Sequence, residues 1–121
     1  MMDFEFEYDA LAQKKDEWRR YLAWARYGAE RRGVNGIRTD RESQSMITGA
    51  ALKAMQDSEY TCKWKTDAGF VELTAPQILA IADAVRAHVQ SCFDREAELL
   101  ALVDAATTPE ELESIRWEEE E

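Results

Sequence analysis

The sequence predicts an α+β domain whose elements run α-β-α-β-β-α-α, with a small three-stranded sheet, including one β-hairpin, packed against helices. Three observations lead there. From Thr74 to Ala106 apolar residues recur at helical steps, with no Gly or Pro after Pro76. Tyr60, Cys62 and Trp64 alternate with Thr61, Lys63 and Lys65, and the turn-prone run Thr66-Asp67-Ala68-Gly69 follows. Helix-start signals stand at Thr39 and again at Thr108.

Taken in order, residues 1–8 alternate Phe4, Glu5, Phe6, Glu7 and Tyr8. That is strand period without flanking turn chemistry, so an arm or an edge strand is expected. Residues 9–32 read as the first helix, ended by Gly33 at the position after the cap. Leu11, Trp18, Tyr21, Leu22, Ala25 and Ala29 share one stripe of that helix. Trp24 and Tyr27 fall off the stripe, on the side that carries Arg20 and Arg31. Large aromatics beside arginines suit a protein contact; the alternative is a sandwiched helix with core on both faces.

Val34 to Thr39 contains Asn35-Gly36 and predicts a short extended piece, the first strand. A second helix opens at Thr39 with Glu42 as a capping box, or with Asp40 capping directly, and runs to about Gln56. Its expected inner face is Met46, Ile47, Ala50, Ala51 and Ala54. Phe70-Val71-Glu72-Leu73 returns from the turn as the hairpin partner of the strand around Trp64.

The helix of about 75–106 starts with a capping box, Thr74 with Gln77, and places Pro76 where a missing N–H costs nothing. Ile78, Ile81, Ala82, Val85, Val89, Cys92, Leu99 and Val103 form its apolar stripe. Such a helix is roughly 48 Å long, against a body of ~35 Å expected for a compact chain of this size. Its far end therefore needs something to bury against. A short last helix, capped by Thr108 with Pro109 at its first position, offers Leu112, Ile115 and Trp117 for folding back over Leu99, Leu102 and Val103. Glu118 to Glu121 reads as a solvated acidic tail.

One domain is the expectation for 121 residues. No apolar run approaches the ~20 residues that span a bilayer, and the start lacks the basic and apolar regions of a signal peptide. Two cysteines thirty residues apart do not make a disulfide framework. The net charge of −10 argues against nucleic acid as a partner. The charge is uneven: residues 10–32 carry seven cations against three acids, and residues 94–121 eleven acids against two cations. The basic segment is expected to lie near the acidic one, within the chain or across a subunit contact.

Few residues invite chemistry. His88 and Cys92 are four apart on one helix, and Cys62 lies on a strand that this helix would cover. Together they would supply three zinc ligands or a Cys–His pair, but no Cys-x-x-Cys and no fourth ligand accompany them. Packing is the plainer reading. Glu96 falls on the line of Cys92, Leu99 and Val103. It is expected to face water, the alternatives being an acid/base group or a specificity device in an oligomer seam. No phosphate loop, dinucleotide fingerprint or metalloprotease motif is present, so neither an enzyme nor a cofactor is predicted.

Three stretches resemble the family catalogued as domain of unknown function 4376. They are Thr39-Asp40-Arg41-Glu42-Ser43-Gln44 with Ile47-Thr48-Gly49-Ala50, the Trp64-Lys65 hairpin closing on Phe70-Val71-Glu72-Leu73-Thr74, and His88-Val89-Gln90-Ser91-Cys92-Phe93-Asp94-Arg95-Glu96. The resemblance covers roughly Trp18 to Trp117. It implies a protein encoded among phage or prophage tail genes, often as the C-terminal part of tail or tail-fibre-associated proteins, with no assigned activity to carry over. The chain lacks the large extra domain that precedes the match in longer members, so a small tail-associated or assembly protein is expected. Its partners would be tail or tail-fibre proteins or a second copy of itself, and neither nucleic acid nor membrane. Its place would be the bacterial host cytoplasm during assembly, and the virion tail. The contact residues expected are Arg20, Trp24, Tyr27, Arg31, Glu96 and Leu99. A tail-fibre assembly chaperone and a small Cys/His enzyme or metalloprotein are the alternatives.

Overall fold

The computed structural model describes the backbone of residues 2–118 and the side chains of residues 10–118. The elements are α1 (Met2–Glu30), α2 (Arg41–Gln56), β1 (Thr61–Thr66), β2 (Gly69–Thr74), α3 (Ala75–Ala105) and α4 (Pro109–Glu113). The order is thus α-α-β-β-α-α, and the sheet has two antiparallel strands. The α+β class stands, but the three-stranded sheet and the predicted element order do not.

The missing strand has a local cause. Asn35 and Gly36 both take positive φ, 52° and 81°, the geometry of a tight two-residue turn. Val34 N–H donates to Ile37 O at 2.9 Å and Ile37 N–H to Val34 O at 2.8 Å. The segment pairs with itself as an isolated bridge, which uses the main-chain groups a sheet would need. The residues read as an arm or edge strand also change class: residues 2–8 belong to α1. The acidic tail beyond Glu118 lies outside the described residues.

The chain forms two compact units: residues 1–28 with 92–121, and residues 29–91. In the second, β1 and β2 pair in the register Thr61↔Thr74 to Thr66↔Gly69, with Gly69 at φ 119° closing the predicted turn. Two core clusters lie between this hairpin, α2 and the first half of α3. One gathers Ile37, Ile47 and Val85 with Trp64, Ile81, Ala82 and Val89. The other gathers Ala54, Ala75 and Ile78 with Ala50, Ala51, Tyr60, Cys62 and Leu73. Met46, expected on the inner face of α2, is 59% exposed.

Loop 31–40 is tied down by a buried polar knot. Glu30 is 1% exposed. Its carboxylate accepts from Arg41 Nε at 2.5 Å, Arg41 Nη2 at 3.1 Å and Gln44 Nε2 at 3.0 Å. Thr39, fully buried, donates through Oγ1 to Glu30 O at 2.7 Å and accepts from Gly33 N–H at 2.9 Å. Capping of α2 falls to Asp40, whose Oδ2 accepts from Ser43 N–H at 3.4 Å and whose Oδ1 accepts from Ser43 Oγ at 2.6 Å. The capping box at α3 forms as predicted: Thr74 N–H donates to Gln77 Oε1 at 2.9 Å and Gln77 N–H to Thr74 Oγ1 at 3.4 Å.

In the first unit Leu22, Cys92, Leu99, Val103, Leu112, Ile115 and Trp117 are buried. The fold-back of the last helix is pinned to α1, with Trp18 Nε1 donating to Ile115 O at 3.1 Å and Trp117 N–H to Tyr21 Oη at 3.0 Å. Thr108 Oγ1 caps α4 by accepting from Glu111 N–H at 3.2 Å. Leu102, expected under that fold-back, is exposed. The basic and acidic segments do meet within the chain. Lys14 pairs with Glu113 at 3.1 Å, Arg19 with Asp104 at 3.0 Å, and Lys15 Nζ donates to Asp104 O at 3.0 Å.

Candidate functional site

α1 separates its apolar residues by face. Leu22 is fully buried and Leu11, Trp18, Tyr21 and Ala25 are half-buried. Off that stripe, Arg20, Trp24 and Tyr27 follow at steps of four and three, so they stack along one side of the helix. Trp24 is 75% and Tyr27 43% exposed, and Arg20 is exposed. A sandwiched α1 with core on both faces is thereby ruled out at Trp24. Arg31, past the end of α1 and in the other unit, is exposed as well.

Glu96 and Leu99 sit elsewhere. Leu99 is buried. Glu96, expected to face water, is almost wholly enclosed and accepts from Arg26 Nε at 2.9 Å. The Arg26 guanidinium also lies 4.3 Å from the Phe93 ring centroid, within cation–π range. Sequence spacing put Glu96 on the core stripe; what it could not supply was the arginine, seventy residues earlier.

The members of the Cys/His trio are divided between the two units, Cys62 and His88 in one and Cys92 in the other. His88 Nε2 lies 3.0 Å from Ala29 O, Cys62 is half-buried against the second core cluster and Cys92 is buried. Among the described residues no three His, Cys, Asp or Glu side chains gather in a metal-binding arrangement. No helix among them is long and apolar enough to cross a membrane.

A second surface escaped the sequence reading. Between α2 and β1 runs an open groove of about 710 Å³. Met46, Gly49 and Ala50 line it from the helix, and Tyr60, Cys62, Lys63, Trp64, Lys65 and Phe70 from the hairpin. Phe70 is 67% exposed. The alternation of Lys63 and Lys65 about Trp64 was the sequence signal available for it.

Fold and surfaces together define a helix-dominated α+β protein that exposes aromatic and apolar side chains on α1 and around the hairpin. The chain belongs to the family described as "Domain of unknown function (DUF4376)", whose model matches residues 12–116. The search of curated proteins and the search of solved structures gave no match.

Proposed function

We propose that this chain is a non-enzymatic protein that acts through protein–protein contacts, as a tail or tail-fibre component of a phage or prophage. The observation that carries the contact reading is the exposed pair Trp24 and Tyr27 beside Arg20, on a helix whose opposite side is buried. Trp, Tyr and Arg are the residues most enriched among those that dominate binding energy at interfaces. A Trp left largely in water forfeits most of the burial available to it, about 25 cal/mol for each Å² of apolar surface. The tail assignment rests on the family resemblance carried by the segments around Thr39, Trp64 and His88. On this reading the protein works in the host cytoplasm during assembly and ends in the virion tail.

The test is a phage or induced prophage carrying Trp24→Ala with Tyr27→Ala, beside the wild type. Tail particles are assayed for infectivity and for this protein by mass spectrometry. Loss of the variant from particles, with its thermal unfolding unchanged, is the expected result. Wild-type incorporation and infectivity of the double variant would sink the proposal. Presence during assembly but absence of the wild-type protein from purified virions would point to an assembly chaperone instead.

A further inference from the structure

We infer that the groove between α2 and β1 is a docking site for an extended segment of another protein, one that alternates acidic and apolar side chains and adds to β1 as a third strand. Among the described residues β1 pairs with β2 alone. Its other side is therefore a strand edge, with alternate N–H and C=O groups available to an incoming chain. That edge borders the groove, which Lys63, Trp64 and Lys65 line consecutively.

The side chains define what fits. Met46 and Phe70, 59% and 67% exposed, leave apolar surface uncovered at the groove. At Gly49 an added Cβ would meet nothing within 4 Å, so the helix wall is open where an incoming apolar side chain would lie. The charges are one-sided: Arg38, Lys63 and Lys65 line the groove and no carboxylate does. Arg38 is already paired with Asp67 at 3.1 Å, and Lys63 stands opposite Glu72 in the ladder. Lys65 lies opposite Phe70, its Nζ 5.9 Å from that ring. In a chain of net charge −10 this is a local basic surface beside the edge of β1 that does not face β2.

A second copy of this chain is the poorer occupant. Antiparallel pairing of β1 with its own copy about Trp64 would set Lys63 against Lys65 on both sides, and like charges directly opposite each other destabilise a ladder. The same lysines turn toward favourable cross-strand pairs when the incoming strand carries glutamates. This occupancy is independent of the Trp24 and Tyr27 face, so either assignment can fail without the other.

The experiment uses the full chain and three dye-labelled peptides, acetylated and amidated, followed by fluorescence anisotropy. One alternates glutamate with valine, one alternates lysine with valine, and one is the glutamate peptide with two central residues replaced by proline. The glutamate peptide is expected to bind at least about tenfold more tightly than either other peptide. Lys65→Glu, at a position opposite Phe70 rather than a carboxylate, should weaken binding of the glutamate peptide and favour the lysine peptide while thermal unfolding stays in place. Amide exchange across residues 61–66 should slow when the glutamate peptide is bound. Equal binding of all three peptides, or no binding at millimolar concentration, overturns the proposal and leaves the lysines as guards against edge pairing. A homodimer that Lys65→Glu strengthens would also overturn it, in favour of the second copy, because the new carboxylate would then face Lys63 of the other copy.

Discussion

Arg26 Nε donates to Glu96 Oε1 at 2.9 Å, with each side chain about 15% exposed, and it ties the first helix to the third within one compact unit. The pair is held on its other side by the Phe93 ring under the guanidinium. Desolvating two charges offsets much of their attraction, so the cost of losing one exceeds the net worth of both. Glu96→Ala should lower stability by about 2 kcal/mol in urea unfolding. Arg26→Met with Glu96→Leu should fall within about 1 kcal/mol of wild type or above it. A double variant weaker than Glu96→Ala would show that the pair contributes more than mutual neutralisation.

Thr39 makes a second, sharper prediction. Its hydroxyl is buried, donates to Glu30 O and accepts from Gly33 N–H. Thr39→Val keeps the shape and strands both partners, at a cost of about 2 kcal/mol. Thr39→Ser keeps the hydroxyl and should lose less. Chemical denaturation of the two variants checks the order, and equal losses would assign the effect to the methyl group.

The loop glycines should differ in degree. Gly33 has φ 95° and its added Cβ would lie 3.1 Å from Ile37 O; Gly36 has φ 81° with open space around it. Both alanine variants carry the left-handed backbone penalty of about 1 kcal/mol, and only Gly33→Ala adds a clash with backbone. Its midpoint in thermal unfolding should be the lower of the two.

Acid should loosen two helix starts. Asp40 is held below the usual carboxylate range, chiefly by the Ser43 hydroxyl. Glu111 is held low too, chiefly by the Thr107 N–H, which it accepts at 2.6 Å. A carboxyl whose folded pKa is depressed contributes stability above its unfolded value, near ~4, and that contribution is lost as pH falls through the folded value. Asp40→Asn with Glu111→Gln should therefore flatten the stability profile in that acid window and leave its neutral limb's slope unaltered. An unchanged acid limb would place the titrating groups elsewhere.

Trp24→Ala should leave stability within about 0.5 kcal/mol of wild type, because the indole is mostly in water. A larger loss in urea unfolding would mean that the exposed ring is structural after all.

What the sequence determined by itself was local. The caps of α2, α3 and α4, the existence of the hairpin and the inward stripe of α1 all depend on residues three or four apart, or on a short turn, and were legible there. So was the turn that overturned the third strand: Asn35-Gly36 is a strong hairpin signal, and it folds Val34 onto Ile37 instead of leaving the segment to pair with the sheet. Met46 was assigned inward from period alone, although an open groove lies on that side of α2. The tertiary structure alone decided which arginine neutralises Glu96, why Glu30 is enclosed, and which side of β1 remains unpaired. Those outcomes are set by contacts between segments distant in the chain. Helical period says which face a side chain occupies, but not what will stand opposite it.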